Sequence, residues 1–162
     1  MSVGDTALSV SYNPKPAAGE QAETGAAIVY SGFDGLELSA GYFDDGDTAE
    51  NNTFGIKYTM GNITAAYQMT EVNYAGTSNK DQSAQHYGVS VAVNDAFSVS
   101  AGQQKVEFGD TSAEDESNSG FGGSYTMGSI SMYGGFNKLE NVGGSATAGD
   151  VEATIFNISF AF

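Results

Sequence analysis

Along most of this chain apolar residues stand at every second position, with small or polar residues between them. Tyr87, Val89, Val91 and Val93 alternate with Gly88, Ser90 and Ala92, and Phe54, Ile56 and Tyr58 alternate with Gly55, Lys57 and Thr59. The closing run places Phe156, Ile158, Phe160 and Phe162 on one face, with Ala153, Asn157, Ser159 and Ala161 on the other. A period of two marks strands whose faces meet unlike surroundings. About ten such strands are predicted, near residues 6–12, 24–31, 36–43, 53–59, 63–74, 85–93, 97–108, 120–127, 130–138 and 151–162. Two places resist the pattern. Ala26 and Ala27 blur the faces of the second strand, and Val106 and Phe108 break the phase set by Phe97, Val99 and Ala101. The second break predicts a bulge near residues 103–105.

The connections alternate between two kinds. Tight turns built on Gly, Asn and Asp are predicted at residues 32–35, 60–62, 94–96 and 128–129. Longer polar loops are predicted at 13–23, 44–52, 75–84, 109–119 and 139–150. Short turns at one end and long loops at the other are the habit of a membrane barrel, short inside and long outside. The face opposite the apolar one is mostly Ala, Gly, Ser and Thr, which suits a confined polar interior. A sandwich would wet that face with charge and long polar groups. Tyr12, Tyr30, Tyr42, Tyr58 and Phe162 recur near strand ends, where interfacial aromatic girdles sit. The expected fold is therefore all-β, an antiparallel transmembrane β-barrel in one domain over residues 1–162.

Composition supports this and narrows it. The chain has 22 Gly, 9 Tyr and 10 Phe, and Leu only at Leu8, Leu36, Leu38 and Leu139, which disfavours helices. No run approaches the ~18 consecutive apolar residues a membrane helix needs, but strand alternation hides lipid-facing residues from such a scan. There is no Cys, so disulfides and thiolate metal sites are excluded. Residues 1–5 are neither basic nor followed by an apolar run, so the expectation is a mature form or a fragment whose front is missing. The formal charge is −15, from 20 acidic residues against five Lys and no Arg, which argues against nucleic acid as a partner.

Candidate chemistry is sparse. His86 is the single histidine; with Asp81 nearby it invites a hydrolase reading, but catalysis needs a second group at fixed geometry, and a polar wall residue is the better expectation. Asp44, Asp45, Asp47 and Glu50 form the densest acidic cluster, and Glu114, Asp115 and Glu116 the next. Their spacing does not match a Ca²⁺ loop, so they are expected to be solvated and to act as a diffuse field at an acidic mouth. The first cluster offers weak metal candidates at most, for loosely bound Ca²⁺ or Mg²⁺, and no other cofactor is expected. Glu37, Lys57, Gln68, His86 and Asn137 are the lumen-facing candidates, with Glu37 and Lys57 expected to pair across adjacent strands.

The terminal run 155–162 resembles the last strand of Gram-negative porins. Residues 6–14 (TALSVSYNP), 54–66 (FGIKYTMGNITAA) and 120–136 (GFGGSYTMGSISMYGGF) are similar to the same family. The step Tyr-Thr-Met-Gly occurs at residues 58–61 and again at 125–128. The likeness covers most of the chain, in the manner of the C-terminal part of a general-diffusion porin. It implies a sixteen-stranded barrel, a homotrimer passing small hydrophilic solutes and ions, and a location in the outer membrane. It also implies outer-membrane lipid, lipopolysaccharide and the barrel assembly machinery as partners. The assembly signal would be Phe156, Ile158, Phe160 and Phe162. This chain lacks a counterpart of the family's inward-folded third loop and of its arginine cluster, so no constriction residue is carried over. The expected function is a diffusion porin, not an enzyme, preferring cations because of its acidic mouth. Long loops would lie outside and both termini in the periplasm. The alternatives are a non-conducting structural or adhesin-like barrel, an enzyme barrel built around His86, and a soluble Gly-rich sandwich.

Overall fold

The computed structural model describes residues 2–14, 21–76, 78–147 and 149–161. Among these residues eleven strands form one antiparallel sheet in sequence order, each hydrogen-bonded to the next. They are β1 (Ser2–Val3), β2 (Thr6–Asn13), β3 (Glu23–Phe33), β4 (Leu36–Asp44), β5 (Ala49–Met60), β6 (Ile63–Tyr74), β7 (Gln82–Ala92), β8 (Phe97–Phe108), β9 (Glu116–Met127), β10 (Ile130–Glu140) and β11 (Val151–Phe160). Among the described residues only two short 3₁₀ turns, Ser78–Lys80 and Val142–Gly144, interrupt the all-β pattern. Among the described residues no ladder joins β1 or β2 to β11, so the sheet is an open arc and ten strands do not close on themselves.

Turn chemistry sets the hairpins. Asp34-Gly35, Gly61-Asn62 and Gly128-Ser129 link their strands in two residues, with the glycines at φ of 71°, 60° and 60°. Such turns need positive φ because their twist must match that of the strands. At Gly35 a Cβ would also run into the Thr59 carbonyl, which accepts no such neighbour.

Cross-strand partners share a face, so the registers sort every side chain. One face carries Glu37, Lys57, Ala66, Gly88, Gly102, Gly120 and Asn137 in a single row from β4 to β10. A hollow of about 700 Å³ touches β4 through β10 on that face, which is therefore concave. The convex face carries Leu8, Ile28, Phe54, Ile56, Val89, Val99, Phe121, Phe156, Ile158 and Phe160, and most of its large apolar side chains are exposed. Among the described residues Val106 is the one buried hydrophobic side chain, at 8% exposure. A water-soluble domain hides its apolar surface inside; this chain turns it out.

The convex apolar band has an upper limit. Moving toward the loop end, apolar side chains stop after Tyr12 on β2, Tyr42 on β4, Phe54 on β5, Tyr87 on β7 and Phe121 on β9. Measured along the registers, this limit drifts by about eight residues between β2 and β10, which at ~3.3 Å per residue and ~4.8 Å between strands is a tilt of roughly 35°. Strands in barrels tilt by a similar amount, because closing a sheet requires stagger. Tyr12, Tyr30, Tyr42 and Tyr58 all lie on the convex face.

Three expectations are corrected. The ladders of β8 run without a shift over Ser98–Phe108 toward β7 and over Phe97–Val106 toward β9, so there is no bulge at 103–105. The phase break has another cause: above the band the two faces exchange character. Gln103, Lys105 and Glu107 face outward there, while Val106 and Phe108 face inward with Leu139 and Val151. The ring of Phe108 and Ala113 close over buried Gly144, where an added Cβ would stand 3.0 Å from each. Second, β5, β7 and β9 begin several residues earlier than expected, because their polar starts are strand and not loop. Third, the connection expected at 44–52 shrinks to residues 45–48, and β1 adds an eleventh strand.

Candidate functional site

The concave wall is built by small residues that let polar side chains lie against it. At β4 and β5, Lys57 Nζ donates to Glu37 Oε1 at 2.8 Å, as their direct opposition in register allows. Hydroxyls pair across neighbouring strands: Thr53 with Thr70 at 2.8 Å, Thr59 with Thr64 at 3.0 Å, Ser98 with Ser124 at 2.7 Å and Thr126 with Ser131 at 3.1 Å. Gln68 Nε2 donates to Thr70 Oγ1 at 3.3 Å. Each pair satisfies groups that would otherwise need water.

On β7, β8 and β9 the wall is different. His86, Gln104 and Asn118 stand side by side in one row, continuing from Gln68. Two residues lower along each strand come Gly88, Gly102 and Gly120; two lower again come Ser90, Ser100 and Gly122. The side chains of His86, Gln104, Asn118, Ser90 and Ser100 make no hydrogen bond to another described residue. The carboxamide of Asn137 occupies the space over Gly120, and the Tyr133 ring lies over Gly122 and Gly135, where an added Cβ would stand 2.7 and 2.6 Å from its hydroxyl. Gly88 and Gly102 remain bare: a Cβ at Gly88 would meet only backbone, at 3.4 Å or more.

All five lumen-facing candidates, Glu37, Lys57, Gln68, His86 and Asn137, line the hollow on this face. Gln104, Asn118, Ser90 and Ser100 line it too and were not singled out by sequence. The signal for Gln104 was its even spacing from Gly102 and Ser100, which the expected bulge concealed. His86 and Asp81 do not form a pair. Asp81 Oδ1 instead accepts the Tyr74 amide at 2.7 Å and fastens the loop above β6 and β7.

The acidic residues are put to structural use. Asp45 Oδ1 accepts the amides of Asp47, Thr48 and Ala49 at 2.9, 2.7 and 2.9 Å, and the Thr48 hydroxyl donates to Oδ2 at 2.5 Å. That hydroxyl first, and then the amides, hold the Asp45 carboxyl well below the usual carboxylate range. Asp110 is lowered in the same way, by the Ser112 amide and hydroxyl. Asp44 accepts the Gly46 amide at 2.7 Å and Asp47 accepts the Gln21 amide at 3.0 Å. Asp44 and Glu50 oppose each other on the convex face, so the first cluster does not converge inward. Glu116 faces inward opposite Val106 and accepts the Gly143 amide at 2.7 Å, while the Glu114 amide donates to the Gly144 carbonyl at 2.9 Å. Among the described residues no group of three or more His, Asp or Glu side chains is arranged to hold a metal ion.

Two matching ion-pair clusters sit outside, above the apolar band. Lys105 contacts Glu107 at 2.7 Å and Asp115 at 2.8 Å; Lys138 contacts Glu140 at 2.6 Å and Asp150 at 3.0 Å. At the other end of the wall Phe156, Ile158 and Phe160 are exposed on the convex face, and Phe162 lies outside the described residues.

Comparison with known proteins places this geometry. No curated protein matches the sequence. OpdO from Pseudomonas aeruginosa superposes with a TM-score of 0.79 over 99% of this chain and 57% of its own, at 15% identity. An anion-selective porin from Comamonas acidovorans gives a TM-score of 0.73 over 100% of this chain and 57% of its own, at 16% identity. A mutant of the Rhodopseudomonas blastica porin gives 0.63 over 86% of this chain and 46% of its own, at 21% identity. At these identities the likeness establishes the fold: an arc spanning about half the length of barrels of the bacterial outer membrane. The family model for Gram-negative porins matches residues 1–159, and the chain belongs to that family.

Proposed function

We propose that this chain forms part of the wall of an outer-membrane diffusion channel whose lumen is lined by the concave face. One observation carries the reading: the two faces of a single sheet differ as lipid and water differ. Large apolar side chains stand exposed on the convex side, and polar and small side chains, with the Glu37–Lys57 ion pair among them, surround a hollow of about 700 Å³ on the other. Small hydrophilic solutes and ions would pass hydrated along that wall, with no covalent step. The hollow favours this over a non-conducting structural or adhesin-like barrel, whose interior side chains would fill the space.

A cation preference belongs to the same proposal. The charge of −15 is concentrated at the loop end, where it raises the local concentration of cations at the mouth. Long loops then face outward, with the turn end in the periplasm. Phe156, Ile158, Phe160 and Phe162 would present the strand that the assembly machinery reads. Outer-membrane lipid would cover the convex band, with lipopolysaccharide above it and Ca²⁺ or Mg²⁺ loosely bridging the acidic loops. A homotrimer completes the proposal.

Planar-bilayer recording from the folded full-length protein tests it. Stepwise ion currents are expected, with a reversal potential of cation sign across a KCl gradient. Folded protein without current steps would remove the channel, and a reversal of anion sign would remove the cation preference alone.

A further inference from the structure

We infer that the unpaired polar patch on β7, β8 and β9 is a subsite for a neutral polyhydroxylated solute, of the chemical class of small sugars. The inference rests on the concave face being a lumen. At several other places on that face neighbouring side chains satisfy one another, as in Thr53–Thr70, Ser98–Ser124 and Lys57–Glu37. Here they do not: His86, Gln104 and Asn118 form one rim, Ser90 and Ser100 the other, and none of the five bonds to another described residue. The rims lie four residues apart along the strands, about 13 Å at the Cα positions, which leaves room for one or two sugar rings between the side chains. The floor between them is the bare backbone of Gly88 and Gly102, so a flat ring can approach without meeting a Cβ.

The chemistry of the rims selects the ligand. Carboxamides, an imidazole and hydroxyls offer both donors and acceptors, which is what a polyol presents in return. A carboxylate or phosphate would seek a cation, and Lys57, the lysine lining this hollow, is held by Glu37 at 2.8 Å. A cationic solute would seek a carboxylate, and Glu37 is taken up by the same pair. The Tyr133 ring is folded over Gly122 and Gly135, so stacking on an upright aromatic is not what the patch provides. A solute held by a few exposed hydrogen bonds binds weakly and leaves quickly, as passage requires.

The test is ion current through the full-length protein in a planar bilayer, with sucrose as the probe. Sucrose is expected to block current in a concentration-dependent way, beyond the loss caused by viscosity. Gly88→Val, which fills the floor, should raise the half-blocking concentration roughly tenfold, and Gln104→Ala roughly three- to tenfold. Gln104→Ala leaves the backbone unaltered and keeps the test decisive where Gly88→Val fails to fold. Ion steps with no block beyond viscosity, or equal block of the parent and both variants, would overturn the subsite while leaving the channel intact. An absence of ion steps would overturn the channel itself, and the subsite with it.

Discussion

The lower and upper parts of β8 share one strand, one register and one pair of neighbours, yet their faces are opposite in character. From Phe97 to Ala101 the apolar residues point to the convex side and Ser98 and Ser100 to the concave side. From Gln103 to Phe108 the convex side carries Gln103, Lys105 and Glu107, and Val106 is the buried residue. The same exchange occurs on β10, where Phe136 is followed on the convex face by Lys138 and Glu140 while Leu139 points inward. The backbone is indifferent to this change. What changes is the solvent outside: hydrocarbon below the limit, and headgroups or water above it, where a second small interior becomes worth packing.

The largest expected effect comes from moving a charge across that limit. Val99→Arg places a guanidinium within the convex apolar band, and should lower stability in lipid by about 2–4 kcal/mol. Gln103→Arg, four residues on and on the same face, should cost about 0–1 kcal/mol. Urea titration of the two variants refolded in vesicles measures both. Equal losses would place the boundary elsewhere and undo the contrast between the two parts of the strand.

Legibility in the sequence followed the same boundary. β6 and β8 have the bounds that alternation predicts, because Ile63, Tyr67 and Met69, or Phe97 and Val99, keep phase with lipid through much of each strand. In the sequence the starts of β5, β7 and β9 look like loops, since Asn51, Asn52, Ser83, Ser117 and Ser119 carry no apolar rhythm once the outer face meets water. Their strand character comes from the ladder of the neighbouring strand, which a single sequence does not display. The Glu37–Lys57 pair is legible because the two residues lie equally far from Asp47, about which the β4–β5 hairpin pairs symmetrically. The empty patch is not. It depends on His86, Gln104 and Asn118 falling into one row across three strands, and on which side chains lie over which glycines.

A middle-sized effect probes the small interior above the limit. Val106→Ala removes two methyl groups from the buried side chain and should cost roughly 1–2 kcal/mol, at the lower end for buried aliphatics because the site is shallow. Val106→Thr keeps the shape but adds a hydroxyl, and should cost a similar amount if the patch excludes water. Threonine tolerated without loss would mean that water already reaches this surface, and that the inward apolar residues are not a packed unit.

The smallest effect concerns the outward lysines. Lys105 and Lys138 each join the Glu two residues ahead to an Asp from the following loop, with contacts between 2.6 and 3.0 Å. All six side chains are at least a third exposed, so screening by solvent keeps the gain small despite good geometry. Lys105→Ala should therefore move the urea midpoint by roughly 0.3 M or less at low salt. The shift should shrink further in 1 M KCl, where the screening length is about 3 Å. Lys138→Ala should behave alike, since its cluster repeats the first. A loss that persists at high salt would assign the role to the aliphatic stems packing over the sheet. The upper convex face would then be partly apolar after all, and the contrast with the lower face would be one of degree.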